Sequence, residues 1–281
     1  MQPISRPAAY GPPPSPAAGA AVSPDAGAAI QRLLAGFAPI GLGEMDAVAL
    51  QNRTDTKYLL SVAQVARALR AIRGQYRVLE INGVRLNPYQ TLYFDTPDFA
   101  LYLQHHAGKR NRYKVRSRRY DVTGQSFLEV KLKTNKERTV KRRVPTEEIA
   151  TTCTPELAGF VAACAPGLRG ELEPKLWNAF ARITLVGAAP PERLTIDLGL
   201  SYRAAGWSIA LPGVAVAEVK QDGLDRSSGF MRQLRAMGVH PTSFSKYCIG
   251  VALLFPQVKH NNFKPKLRLL QQLMETTTND D

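Results

Sequence analysis

The sequence predicts an α+β protein in which a large antiparallel β-sheet or β-barrel carries a few helices. About seven segments alternate apolar and polar residues with period two, and short turns rather than helices separate most of them. Short turns join antiparallel strands, whereas parallel strands need long crossover connections. The chain has 281 residues and is 44% hydrophobic, so it can form a substantial core, and a disordered chain is excluded.

Seven segments have the alternation typical of β-strands. They cover residues 90–96, 111–119, 126–133, 139–144, 180–186, 193–202 and 214–220. Turn-forming residue pairs mark the ends of most of them, at Asn82-Gly83, Thr123-Gly124, Thr134-Asn135, Ala205-Gly206 and Asp222-Gly223. This succession of strands and turns favours antiparallel pairing.

Three helices are predicted from helical spacing and capping residues. Ser61 is placed to cap a helix that ends near Gly74, and Ser227 opens another that ends at Gly238. A third helix follows Pro155. The first helix has apolar residues at the spacing of one helix face: Val62, Val65, Leu69 and Ile72.

One central domain is predicted over residues 28–255, because no fixed-period repeat and no long Pro/Gly linker divides this part of the chain. Residues 1–27 are rich in Pro and Ala and have little aliphatic bulk, so we expect them to be disordered. Residues 256–281 are basic and then polar, and we expect a tail with a short helix over 267–274.

The overall charge indicates an anionic partner. The chain has 37 Lys and Arg against 23 Asp and Glu, a net charge of +14. Its three cysteines are far apart and form no C-x-x-C pair, which excludes a disulfide framework and a cysteine zinc site. The longest apolar run is far shorter than the roughly 20 residues of a membrane-spanning helix, and no signal peptide is evident. We therefore expect a cytoplasmic protein.

The positive charges are concentrated within predicted strands. Residues 109–143 contain fourteen Lys and Arg but only three acidic residues. Because residues i and i+2 of a strand share a face, one cationic row is formed by Arg112, Lys114, Arg116 and Arg118. A second strand places Glu129, Lys131 and Lys133 on one face and Leu128, Val130 and Leu132 on the other. Later strands repeat the pattern with Lys141 and Arg143, Arg193 and Asp197, and Glu218 and Lys220.

A solvated outer face would explain any single row, but several rows together favour a bound anion. A solvated face usually mixes charge signs, whereas here Lys and Arg dominate four or five strands. If the sheet closes with its apolar side outward under helices, the cations point into a lumen that suits a chain of phosphates. Isolated carboxylates in such a lumen are candidate ligands for Mg²⁺ or Mn²⁺, with Glu218 first and Glu129 second.

Eight motifs in chain order support a family resemblance. They are Arg53-Thr-Asp-Thr-Lys57-Tyr58, Tyr93-Phe-Asp95-Thr96, Arg116-Ser-Arg118, Phe127-Leu-Glu129-Val-Lys131, Lys141-Arg-Arg143, Thr195-Ile-Asp197, Ala217-Glu218-Val-Lys220 and Ser243-Phe-Ser245-Lys246-Tyr247. Together they resemble the VTC domain, the polyphosphate polymerase domain of the vacuolar transporter chaperone complex and its bacterial relatives, within the triphosphate tunnel metalloenzymes. The resemblance spans about residues 44–254.

The resemblance implies an antiparallel β-barrel, or tunnel, of about eight strands, with basic residues inward and helices packed outside. It implies catalytic cations that hold a triphosphate or polyphosphate at Lys57, Arg116, Arg118, Lys131 and Lys246. The charged rows and the resemblance together give further phosphate-binding candidates: Arg53, Lys114, Lys133, Lys141, Arg143, Arg182, Arg193, Lys220 and Ser245. The resemblance also implies that Glu218 is a metal ligand.

The first motif departs from the pattern of the wider superfamily. That superfamily opens with Glu-x-Glu-x-Lys, whereas this chain has Arg53-x-Asp55-x-Lys57. A cation therefore replaces the first acidic ligand, which disfavours a hydrolase that uses two metal ions. The polymerase branch shows the same exchange.

Several functions remain open at this stage. The first is a Mn²⁺- or Mg²⁺-dependent polyphosphate polymerase that transfers the terminal phosphate of ATP to a growing chain. The second is a module that binds polyphosphate or another polyanion without turnover, and an inorganic triphosphatase is a further alternative. A membrane-protein partner is compatible with the resemblance. Nucleic acid is not expected as a partner, because a duplex needs an exposed basic surface rather than cations inside a tunnel.

Overall fold

A large β-sheet forms the centre of the computed structural model, which describes residues 24–46, 53–135, 139–189 and 191–278. The strands are β1 (Ala38–Ile40), β2 (Arg53–Ser61), β3 (Tyr76–Leu79), β4 (Asn87–Asp95), β5 (Arg112–Tyr120), β6 (Gln125–Lys133), β7 (Thr139–Thr146), β8 (Glu173–Ala188), β9 (Pro191–Ala204), β10 (Trp207–Ala210) and β11 (Val214–Asp222). Eight strands follow one another in the order β2-β11-β9-β8-β4-β5-β6-β7, and every neighbouring pair is antiparallel. The predicted α+β class and antiparallel sheet are confirmed.

Within the described ranges, all seven predicted strands are present, together with four that were not predicted. The strand predicted over 180–186 is longer than expected, since β8 covers Glu173–Ala188. The unpredicted strands are β1, β2, β3 and β10. Three of these are only three or four residues long, and such short segments carry too little alternation to be recognised from sequence.

Helices surround the sheet: α1 (Pro24–Ala35), α2 (Leu42–Asp46), α3 (Val62–Ile72), α4 (Ala100–His106), α5 (Pro155–Cys164), α6 (Gly229–Ala236), α7 (Lys246–Leu254) and α8 (Lys264–Thr278). The predicted α3 is confirmed, and Ser61 and Gln64 form its capping box. The cap of α6 is Ser228, one residue after the predicted Ser227. Helix α8 is longer than the predicted 267–274 and buries Leu270 in the core, whereas a tail was expected.

The predicted closure of the sheet into a barrel is not found. Among the described residues, the two ends of the eight-strand path, β2 and β7, form no ladder with each other. Both edge strands nevertheless line one cavity, β2 through Lys57 and β7 through Lys141.

The two faces of the sheet carry different cores. The outer face is apolar, and α1, α3 and α6 cover it at residues such as Leu60, Ala217 and Ile196. Helix α5 covers the neighbouring strands at Val115 and Val130.

The opposite face, which we call the inner face, carries Lys57 and Glu218 together with a second apolar region. Leu59 and Val216 lie two residues from these charged side chains and therefore on the same face. Helices α7 and α8 pack over this apolar region. A Cβ atom at Gly250 of α7 would lie only 2.7 Å from Tyr202, so glycine permits the close approach. One half of the inner face is thus filled by helices and the other half is charged.

Candidate functional site

A cavity of about 1240 Å³ lies over the charged half of the inner face. Among the described residues, its lining includes seven Lys and Arg side chains and two carboxylates, Asp55 and Asp222. Six of the predicted site residues line it: Lys57, Lys114, Lys131, Lys133, Lys141 and Ser245. The remaining cations of the lining are Arg112 and Lys266. The cavity is therefore strongly cationic, as the charged rows predicted.

Three lysines form a cross-strand row in the wall of this cavity. Lys131 of β6 is in register with Lys114 of β5 on one side and with Lys141 of β7 on the other. Like charges in register are destabilising. Burial, together with the charges of Lys114 and Arg116, lowers the pKa of Lys131 to about 7. Burial also lowers the pKa of Lys114. A bound anion would relieve this repulsion.

Glu129 lies deeper, between two cations. Its carboxylate accepts a hydrogen bond from Arg116 Nε at 2.7 Å, forms an ion pair with Arg116 Nη2 at 2.6 Å, and also pairs with Lys141. The side chain is only 1% exposed. Burial alone would raise the pKa of Glu129, but Arg116, Arg118 and Lys141 outweigh it and hold the pKa well below its ordinary value. Glu129 is therefore a permanent anion between strands β5, β6 and β7.

Glu218 is held in the same way on the other side of the cavity. Lys57 Nζ and Lys220 Nζ each lie 2.6 Å from one of its carboxylate oxygens. The pair of Lys57 and Glu218 follows from their register in β2 and β11. Burial opposes ionisation, yet Lys220 and Lys57 lower the pKa of Glu218 well below its ordinary value.

Asp197 is the third carboxylate between two cations, and sequence analysis assigned it no role. Arg182 donates hydrogen bonds to its two oxygens, from Nε at 2.5 Å and from Nη2 at 2.8 Å, and Lys246 forms an ion pair with Oδ2. Its alternation with Thr195 in the motif of β9 could have identified it, since both share the inner face with Arg193. Its partners could not have been identified, because α7 brings Lys246 to the sheet from 49 positions away.

An aromatic pair lies beneath the cations of this deeper region. The rings of Tyr89 and Phe180 stack with a centroid distance of 5.3 Å. Arg118 lies 5.5 Å from the Tyr89 centroid and donates a hydrogen bond to Thr91 Oγ1 at 3.0 Å. Lys246 lies 4.5 Å from the Phe180 centroid. Arg118, Arg182 and Lys246 do not belong to the lining of the cavity.

Three predicted site residues lie elsewhere or outside the described side chains. Arg143 is exposed and lies 4.4 Å over the ring of Phe127. Arg193 donates to the backbone oxygen of Met45 at 3.1 Å, away from the cavity. The backbone of Arg53 begins β2, opposite Asp222, but its side chain lies outside the described atoms.

The start of α7 forms one wall of the cavity. Ser245 caps the helix by accepting a hydrogen bond from the backbone nitrogen of Cys248 at 3.2 Å. Thr242 N donates to Lys57 O at 2.8 Å and fixes the preceding segment to β2. Tyr247 donates to buried Asp95 at 2.5 Å, which anchors the same helix on its other side. Lys246 is therefore held in place by both of its neighbours along the chain.

His105 also lines the cavity. It lies in the last turn of α4, and its Nε2 is 3.1 Å from Tyr113 O. Burial, reinforced by Lys114, lowers the pKa of His105 far below its ordinary value. The imidazole is therefore neutral and adds no charge to the cavity.

The isolated carboxylates of the site are suited to a divalent metal ion that protein and phosphate hold together. Within the described residues, no three His, Cys, Asp or Glu side chains come together as a metal site. Mg²⁺, however, usually keeps several waters and is held by one or two carboxylates together with phosphate oxygens. Glu218 fits this role as a single ligand, and a metal ion there would compete with Lys57 and Lys220.

The described helices include none that could cross a membrane.

The affinity of the cavity for triphosphate is expected to fall as the pH rises through about 7, because Lys131 loses its proton there. The protonated amine attracts phosphate, so the free cavity has its full charge below this pKa and one charge less above it. Triphosphate itself becomes more negative over the same range, which would act in the opposite direction. Binding measured from about pH 6 to pH 9 tests this expectation.

The matched variant is Lys131→Arg, which keeps its charge at every pH in this range. Its affinity should vary less steeply between neutral and alkaline pH than that of the wild type. Equal pH dependence in the two proteins would show that Lys131 is not the group that titrates.

The fold and the site define an α+β protein with a cationic cavity over one face of an open antiparallel sheet. The chain belongs to the VTC domain family, whose match covers residues 52–255. This match confirms the resemblance inferred from the sequence motifs.

Solved structures of low sequence identity resemble most of the chain. A proposed adenylate cyclase from Vibrio parahaemolyticus is 14% identical, with a TM-score of 0.41 over 72% of this chain and 99% of its own. One from Bacillus halodurans is 12% identical, with a TM-score of 0.47 over 73% and 100%. A proposed adenylyl cyclase from Hippeastrum with a dominant triphosphatase activity is 14% identical, with a TM-score of 0.41 over 71% and 96%. No curated protein matches the chain.

Proposed function

We propose that this protein is a metal-dependent polyphosphate polymerase that transfers the terminal phosphate of ATP to a polyphosphate chain. The observation that carries the proposal is the row of Lys114, Lys131 and Lys141 in a cavity whose described lining has seven cations and two carboxylates. Such a row repels itself until a polyanion binds, and a linear phosphate chain offers several charges in line. Family membership supports the same substrate class.

The proposed reaction needs little covalent chemistry from the protein. The bond between the β- and γ-phosphates of ATP breaks, the terminal oxygen of the acceptor chain forms a new bond to the transferred phosphorus, and ADP leaves. Lysines of the cavity would hold the phosphates and stabilise the charge on the transferred group. A divalent ion, Mn²⁺ or Mg²⁺, held by Glu218 or by Glu129 would supply further charge neutralisation when bound.

The identity of residue 53 favours transfer to phosphate over transfer to water. Arg53 begins the strand that carries Asp55 and Lys57, where the wider superfamily has a carboxylate. A hydrolase would use such a carboxylate to hold a second ion and its water. Because residue 53 is a cation instead, we expect the acceptor of the transferred phosphate to be another phosphate and not a metal-bound water.

A second candidate function is a polyphosphate-binding module without turnover. It is favoured by the ion pairs of the buried carboxylates: Glu129, Asp197 and Glu218 are each held between two cations, with which a catalytic metal ion would have to compete. A module of this kind would bind the same anions in the same cavity. Under either function we propose a cytoplasmic location, with ATP, polyphosphate or triphosphate as ligands and no nucleic acid.

The test is the distribution of products from ATP in the presence of short-chain polyphosphate and Mn²⁺ or Mg²⁺. We expect elongated chains to exceed free orthophosphate, with ADP formed in proportion to the phosphate transferred. Mostly orthophosphate would identify a triphosphatase, and binding of polyphosphate without any product would identify a binding module.

Replacing Arg53 by Glu should move the product ratio toward orthophosphate, because the new carboxylate restores the first acidic position of the hydrolase pattern. The comparison variant is Arg53→Gln, which removes the cation without adding a carboxylate. A ratio that is unchanged in Arg53→Glu while affinity falls equally in both variants would mean that Arg53 only holds phosphate.

A further inference from the structure

A second, smaller groove lies beside α8, outside the phosphate cavity. Its volume is about 340 Å³, and the two sites share no lining residue. Leu270 is buried in the core at the base of the groove, whereas Leu267 and Met274 are only partly buried. Most of the described lining is apolar: Leu211, Leu253, Leu267, Leu270 and Met274. The described part of the chain therefore leaves an apolar groove open along this helix.

The cations of the groove lie at its beginning along α8. Lys264 and Arg268 are four positions apart and therefore on one face of the helix, and both are exposed. The described lining of the groove includes no carboxylate. Near the other end of the helix, Glu275 accepts a hydrogen bond from Gln271 at 2.9 Å. The groove thus has a cationic end at Lys264 and an uncharged end at Met274.

This groove has the length of one lipid chain. From Lys264 to Met274 the helix rises about 15 Å, at about 1.5 Å per residue. One leaflet contributes about the same length, half of the roughly 30 Å of a bilayer's hydrocarbon core. An anionic lipid therefore matches the groove both in the position of its charge and in the length of its chain.

Trp207 extends this apolar surface at the start of β10. Its side chain is 72% exposed, the highest value among the large apolar side chains of the described ranges. The pairing with β9 continues past β10, since Leu211 N donates to Leu200 O at 2.8 Å. Trp207, Ile209 and Leu211 alternate along this extended segment and therefore share a face. Ile209 packs against the core below the groove and Leu211 lines it, so Trp207 lies on the groove side.

We propose that this face binds the surface of an anionic membrane. The phosphate of one lipid lies beside Lys264 and Arg268, its acyl chain lies in the groove, and Trp207 enters the interface. Tryptophan is favoured at membrane interfaces, where one side of its ring is apolar and the other is wet. Lys and Arg add attraction to anionic headgroups. The residues are separate from the phosphate cavity, so this inference goes beyond the proposed function and does not depend on it.

Sedimentation with vesicles tests the proposal on the full-length protein. Vesicles of phosphatidylcholine alone are compared with vesicles that also contain phosphatidylglycerol, in the presence of a chelator and of tripolyphosphate to occupy the cavity. We expect binding to the anionic vesicles and little to the neutral ones. Tryptophan emission should move to shorter wavelength with the anionic vesicles, and this change reports Trp207 because the other tryptophan, Trp177, is 1% exposed.

Two variants remove the proposed contacts. The double variant Lys264→Gln with Arg268→Gln should bind anionic vesicles about tenfold more weakly or worse, since each cation near such a surface contributes about 1 kcal/mol. Trp207→Ala should weaken binding about fivefold or more, because apolar area leaves the interface. All three side chains are exposed, so both variants should keep the stability of the wild type.

The matched control is the double variant Arg67→Gln with Arg70→Gln. These two arginines are also exposed and lie on one helix, α3, which covers the outer face of the sheet. This variant loses the same charge as the groove variant and should bind vesicles like the wild type. Equal losses in the two double variants would show a general attraction by the net charge and would overturn the proposal.

Three further results would also overturn it. Vesicle binding that disappears when tripolyphosphate is added would place the headgroups in the cavity. A dimer in light scattering that requires Trp207 would assign the face to a second copy of the chain. Absence of binding to anionic vesicles would leave the groove to a protein partner. None of these measurements depends on phosphate transfer, so they leave the proposed function to its own test.

Discussion

Replacing Glu218 by Gln is expected to abolish metal-dependent turnover while metal-free binding of triphosphate stays equal or becomes tighter. The substitution removes the carboxylate that we propose as the metal ligand, and rates should fall on the order of a hundredfold or more. It also removes the partner of Lys57 and Lys220, both at 2.6 Å, so two more cations become available to phosphate. Turnover assays and calorimetric binding, each with and without Mn²⁺, measure the two effects separately.

Glu129→Gln is the matched control, because Glu129 is likewise held between two cations in the same site. Metal-dependent activity should survive better in this variant than in Glu218→Gln. Full activity of Glu218→Gln would mean that the metal ligand is Glu129 or Asp55 and not Glu218. Weaker metal-free binding in Glu218→Gln would show that this carboxylate organises the lysines.

Replacing Arg116 by Ala should reduce the free energy of unfolding by about 3–5 kcal/mol and weaken phosphate binding with or without metal, because a buried charge loses its main partner. Glu129 is 1% exposed and would keep Lys141, a partly exposed side chain, as its one ion-pair partner among the described residues, with the charge of Arg118 nearby. Chemical denaturation measures the change in stability. The shift in melting temperature caused by tripolyphosphate measures the change in binding.

Two variants separate the contributions to this effect. Arg118→Ala removes a buried arginine whose hydrogen bond goes to Thr91 and not to a carboxylate. It should therefore lower the free energy of unfolding by less than Arg116→Ala does. The double variant Arg116→Ala with Glu129→Gln removes both members of the pair and should recover much of the lost stability without recovering phosphate binding. A double variant as unstable as Arg116→Ala alone would show that packing of the arginine, and not its charge, stabilises the sheet.

The sequence determined those features that depend on neighbours along the chain. Period-two alternation identified seven strands, and within β5 and β6 it assigned Arg116 and Lys131 to one face and Val115 and Val130 to the other. The structure confirms that the two valines lie in an apolar core under α5. A strand places alternate residues on opposite faces wherever it lies in the fold, so this property needs no tertiary information.

Only the tertiary structure decided which charged groups meet. The pairing of Lys57 with Glu218 depends on the register of β2 against β11, two strands far apart in the chain. Asp197 became a site residue because α7 returns to the inner face and brings Lys246 against it. The same helix fills half of that face, and β2 and β7 remain unpaired with each other within the described part of the chain. Strand order, register and helix docking result from long-range packing, for which local alternation along the chain contains no signal.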